Sequence, residues 1–129
     1  MSRSDTLPIF LESYKLLVEL YKVTTNFPRE YKFSLGQDIQ KDTMELFRCI
    51  YRANSHQDKV PYLEDFAAWF EAVRLEIRLA HDLNIISQRK YAQLSLMMEN
   101  IGKQSNAWRK HEKVRLQKKI ETQQSHAEP

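Results

Sequence analysis

Apolar residues along this chain recur at three- and four-residue steps in four stretches, separated by short polar breaks. That spacing marks one face of an α-helix. The first stretch covers residues 7–25, with Leu7, Phe10, Leu11, Tyr14, Leu17, Val18 and Tyr21 as its main apolar face. Asn26-Phe27-Pro28 ends it, because a proline disfavours helix at the residue before it. The second stretch covers 34–54. Ser34 is placed as an N-cap with Gln37 three residues on, as in a capping box. Leu35, Ile39, Leu46, Ile50 and Ala53 line its buried face, and Gly36 permits a close helix approach at its start. The third stretch covers 61–83 and is entered through Ser55-His56-Gln57-Asp58. The fourth runs from 87 to at least 108. Ser87 is its N-cap, and Ile86 and Tyr91 are spaced to form a hydrophobic staple across it. Tyr91, Leu94, Met98, Ile101, Ser105 and Trp108 form a strict seam. Continuing that seam reaches Glu112, Arg115 and Lys119, so the packing stripe is expected to stop at Trp108 even where the helix goes on.

Short connections make sequential helices antiparallel neighbours. Helices of about 20 residues span about 30 Å, and the four segments match in length. The expected fold is all-α, an antiparallel up-down-up-down four-helix bundle over residues 1–110. Residues 111–129 are expected as a basic C-terminal tail, disordered or frayed-helical.

The third segment is apolar on two sides. Leu63, Phe66, Phe70, Val73, Ile77 and Ala80 share one face, and Ala68, Ala72, Leu75, Leu79 and Leu83 fall nearly opposite. The first segment repeats this more weakly, with Ile9, Leu16, Leu20 and Val23 behind its main face. A lone bundle leaves one side of each helix in water, so a second apolar stripe implies a partner surface. Homo-oligomerisation through Ile9, Leu16, Leu20, Ala72, Leu75, Leu79 and Leu83 is the expectation.

Composition narrows the class. Two glycines and four prolines in 129 residues favour long helices over a β-fold. The single cysteine, Cys49, rules out an internal disulfide framework. No apolar run approaches the length that spans a bilayer, and the opening MSRSDTLPIF lacks a signal-peptide core. A cytoplasmic location without membrane contact is expected. The net charge of +3 is unevenly placed: residues 1–102 balance at −1 and residues 103–129 at +4. Lys103, Arg109, Lys110, Lys113, Arg115, Lys118 and Lys119 are therefore candidates to bind nucleic acid or an acidic partner, with steep salt dependence. Arg74 and Arg78, four residues apart, present adjacent guanidinium groups to phosphate or carboxylate. They are equally placed to pair with Glu71 and Asp82 on their own helix.

The residue patterns of several chemistries are missing. No Glu is followed three residues later by His, as a di-iron bundle requires. The histidines are scattered, and there is no P-loop, Rossmann glycine pattern or nucleophile elbow. No metal, cofactor or catalytic residue is expected. One weak motif stands apart. Arg74 and His81 have the spacing of the Arg–His signature of HEPN-type helical ribonucleases, although Leu75 replaces the polar residue which that family favours after the Arg.

The chain resembles the Avd-like four-helix-bundle family, the accessory proteins of diversity-generating retroelements, related to the bundle proteins encoded in ribosomal RNA intervening sequences. The resemblance covers roughly residues 7–110. It rests on Asn26-Phe27-Pro28-Arg29, Phe33-Ser34-Leu35-Gly36, Ala53-Asn54 and Val73-Arg74-Leu75-Glu76-Ile77-Arg78-Leu79-Ala80. Ile86-Ser87 with Tyr91, and Ile101-Gly102 with Trp108, complete it. The resemblance implies a homopentameric barrel that binds a reverse transcriptase and RNA or DNA. It also implies support of mutagenic cDNA synthesis without catalysis, with Arg74 and Arg78 as the family's basic pair. The bundle is nearly neutral outside its tail, which leaves open a stand-alone RNA- or DNA-binding bundle of the intervening-sequence type.

Overall fold

A computed structural model of the chain describes residues 4–127; residues 1–3 of the expected bundle and 128–129 of the expected tail lie outside the described residues. A 3-10 turn at Ser4–Thr6 precedes α1 (Pro8–Thr25), the one-turn α2 (Arg29–Lys32), α3 (Leu35–Ser55), α4 (Val60–Asp82) and α5 (Gln88–Ala127). No strand occurs among the described residues. The four long helices stand at the corners of a square, α1 beside α3, α3 beside α4, α4 beside α5 and α5 beside α1. Each helix end falls within about a residue of the break expected from the sequence, except that α5 runs on.

The core is one cluster. Leu16, Leu20, Ile39, Leu46, Ile50, Phe66, Val73, Ile77, Leu94 and Ile101 are its most enclosed members. On α3, α4 and α5 these are the faces that the periodicity predicts. On α1 the two faces are exchanged. The buried residues are Ile9, Ser13, Leu16, Leu20 and Thr24, whereas Leu11, Tyr14 and Tyr21 are exposed. Ile9, Leu16 and Leu20 therefore belong to the protomer core and not to an oligomer surface. Two small polar residues on the true inner face hide it from a hydrophobicity count. Thr24 is accommodated there because its hydroxyl donates to Leu20 O at 2.8 Å and accepts from Gln40 Nε2 at 2.8 Å.

The connections follow local chemistry. Ser87 Oγ accepts from Lys90 N at 3.0 Å, capping α5. Ser87→Ala should cost about 1 kcal/mol of unfolding free energy in urea titration. Ser34 does not form the expected capping box. The unanticipated α2 precedes it, and its hydroxyl lies against Glu30 O and Tyr31 O instead. Lys59 Nζ donates to Ala53 O and His56 O, each at 2.7 Å, and so closes the C-terminal end of α3. Gly36 packs close to Phe27 and to Tyr31 O, where α3 meets the turn that follows α1.

The seam of α5 does not stop at Trp108. Glu112, the next position, is buried, and Arg115 Nη2 meets its carboxylate at 2.9 Å. A charge-assisted pair lets a carboxylate occupy a packing position that sequence alone assigns to solvent. Residues 111–127 contain neither Gly nor Pro, and the segment expected as a disordered or frayed tail is helical through Ala127. Arg115 also donates to Gln57 O, and Lys113 pairs with Glu64 at 3.3 Å. These contacts brace α5 against the α3–α4 connection.

Candidate partner and nucleic-acid interface

The outer corner of α4 is an apolar ridge. Leu75 is 66% exposed, Leu79 and Leu83 are exposed, Ala68 is exposed and Ala72 half-buried. These side chains point away from the core because Phe66, Phe70, Val73 and Ile77 take the inner face of the same helix. The sequence-derived surface on α4 is thus uncovered by its own chain. Glu64, Asp65, Glu71 and Asp82 lie within a turn of the ridge.

On the α5 side of this ridge lies a shallow groove of about 280 Å³, lined by Arg74, Leu75, Arg78, Tyr91, Ser95 and Met98 among others. Gly102 allows the close approach here, since a Cβ would meet Phe70 and Arg74 Nη2. Arg74 lies over the Phe70 ring at 5.1 Å and pairs with Glu71 at 3.5 Å. Arg78 pairs with Asp82 at 3.8 Å. Both ion pairs expected from spacing are formed, and both arginines remain half-exposed or more. Exposed pairs of this kind are worth roughly 0.2–1 kcal/mol, so a phosphate or carboxylate partner displaces them at small cost. His81 lies one turn beyond Arg78. Its ring stacks on Tyr91 at 4.2 Å, with Nε2 2.5 Å from Gln88 Oε1 and Nδ1 3.2 Å from Asp82 Oδ1. The imidazole is a clasp between the end of α4 and the start of α5.

The cations of the fourth segment separate into two groups. Lys103 pairs with Glu99 and Arg109 bonds Asn106. Lys113 and Arg115 are drawn into the brace at the α3–α4 connection, and Lys119 reaches Gln57 Oε1 at 3.5 Å. Among the described residues, Lys110 and Lys118 make no ion pair and face solvent. Few acids offset this stretch, so it remains the most positive part of the molecule.

Two features were not read from the sequence. One is a carboxyl pair across the α3–α4 seam. Glu76 Oε1 is buried without a donor among the described residues, and the Glu76 carboxyl hydrogen-bonds Asp42. Burial, then the Asp42 hydrogen bond, then the charges of Asp42 and Asp38 push Glu76 up to about 8, so the pair holds one proton at neutral pH. The other is an aromatic face between α1 and α3. Tyr14 is 54% and Tyr51 65% exposed, with Tyr21 and Met44 also exposed. Phe10 and Phe47 meet edge to face at 5.1 Å beneath them. Arg48, Arg52 and Lys22 border this groove, and Met44 joins its two halves. Met44, Phe47 and Tyr51 stand at three- and four-residue steps, which was the available signal.

Cys49 is buried on α3, and desolvation, with the charges of Asp65 and Glu45 adding, pushes its thiol up to about 11. It is an inert core residue at neutral pH. Among the described residues no three His, Cys, Asp or Glu side chains gather as a metal site, and no helix is long and apolar enough to cross a membrane.

The architecture and these surfaces define an all-helical bundle protein whose outer faces carry apolar and cationic groups side by side. A family model described as bAvd-like matches residues 9–112, and the chain belongs to that family. No curated protein matches it.

Proposed function

We propose that this protein is a non-enzymatic accessory factor of a diversity-generating retroelement. As a homo-oligomer, a pentamer by family resemblance, it binds a reverse transcriptase together with RNA or DNA in the cytoplasm and supports mutagenic cDNA synthesis. The observation that carries this reading is the juxtaposition, on α4 of a bAvd-like family member, of an uncovered apolar ridge with the half-exposed Arg74 and Arg78. The ridge supplies a surface for assembly, and assembly repeats the two arginines around it. Engagement of both His81 ring nitrogens by Gln88 and Asp82 supports the non-catalytic assignment over a ribonuclease using Arg74 and His81. An up-down-up-down course of α1, α3, α4 and α5 is part of the proposal. Lys90 at the start of α5 reaches Glu19 near the end of α1, and Lys113 far along α5 reaches Glu64 at the start of α4.

Charge reversal at Arg74 and Arg78 should weaken binding of the partner polymerase or of RNA by about tenfold or more, about 1.4 kcal/mol, with far-UV circular dichroism unchanged. Unchanged binding would reduce both arginines to salt-bridge formers. The projecting cationic end of α5 favours one second reading, a stand-alone RNA- or DNA-binding bundle. A salt-dependent RNA shift abolished by deleting residues 109–129, with no polymerase recovered from the native host, would select it.

A further inference from the structure

The protomer carries two apolar faces of opposite character. The α4 ridge is convex and built from Ala68, Ala72, Leu75 and Leu79. The α1–α3 face is a groove walled by Tyr14, Tyr21, Met44 and Tyr51 over Phe10 and Phe47. Aromatic residues, Met and Arg are the types enriched at the centres of protein interfaces. The bordering charges are also opposite. Arg48, Arg52 and Lys22 rim the groove, whereas Glu64, Asp65, Glu71 and Asp82 flank the ridge.

We propose that the α1–α3 groove of one copy receives the α4 ridge of a second copy, in a heterologous contact. The proposal rests on the oligomeric reading above and specifies its geometry. Charge decides among the possible pairings. Ridge against ridge brings acid-flanked helices together, and groove against groove sets arginine against arginine; only the mixed pairing joins opposite signs. α4 lies diagonally across the bundle from α1, so one copy offers its ridge and its groove in different directions. Successive copies then add head to tail until a ring closes. The contact also covers Tyr14, Tyr51 and Leu75, the large exposed side chains that the fold itself leaves in water.

The test is a mixing experiment with the full chain. A groove variant combines Met44→Glu and Tyr51→Glu, and a ridge variant combines Leu75→Glu and Leu79→Glu. All four positions are exposed, and circular dichroism with thermal melting verifies folding. Light scattering at micromolar concentration should give an oligomer for the unaltered chain and a monomer for each variant. Self-association of each variant should weaken by at least about 100-fold. A one-to-one mixture should give a dimer and nothing larger, because one intact groove and one intact ridge remain. A groove variant that still assembles overturns the proposed contact while leaving oligomerisation standing. A mixture of monomers overturns the heterologous geometry. A monomeric unaltered chain overturns both the contact and the oligomeric reading.

Discussion

Replacing Leu16 with alanine is expected to lower unfolding free energy by about 2–5 kcal/mol, the cost of a cavity in a closed core. Leu16 is 0% exposed and sits in the central cluster with Leu20 and Ile39. The matched change Leu75→Ala should alter the stability of the isolated protomer by less than about 0.5 kcal/mol, because that side chain already stands in water. Urea titration at sub-micromolar concentration measures both. The contrast separates two leucines that hydrophobic periodicity alone placed in the same class. Equal effects would mean that α1 is rotated relative to the bundle described above.

The second large effect is pH-dependent. Glu76 has a folded-state pKa raised from 4.5 to about 8, with burial the leading cause and Asp42 and Asp38 adding to it. Between those values the folded chain holds a proton that the unfolded chain has released. Stability should therefore decline as pH rises from 4.5 toward 8 and level off above. Glu76→Gln keeps a donor for Asp42 without a charge. It should flatten that slope and raise stability at pH 8.5 by about 2 kcal/mol, a figure already reduced for the partial exposure of the group. Thermal melts of both proteins across pH 5–9 decide the matter. A variant that retains the full slope would place the titrating group elsewhere.

Much of the bundle was legible because α3, α4 and α5 use Leu, Ile, Val and Phe on their inner faces, and little else there competes. α1 was misread because Ser13 and Thr24 occupy inner positions while Tyr14 and Tyr21 occupy outer ones. A tyrosine counts as apolar in any pattern, yet its ring can lie on a surface with the hydroxyl in water. The same substitution of aromatic for aliphatic residues concealed the α1–α3 groove. Local ion pairs such as Arg74 with Glu71 were readable, since three-residue spacing sets their geometry. The Asp42–Glu76 pair was not, because its partners sit on different helices and meet only through packing. Glu112 was assigned to solvent for its charge, and its neutralising partner Arg115 makes its burial affordable.

α5 is 40 residues long and α4 is 23. At 1.5 Å per residue that is about 60 Å against about 35 Å. With Arg115 and Lys119 holding the backbone and side chain of Gln57, the cationic end is a stiff spar fixed at its root. A stiff spar loses less motion than a loose chain when something grips it. Whatever binds near Lys118 is thereby kept at a set standoff from the bundle, in a direction dictated by the α3–α4 bend.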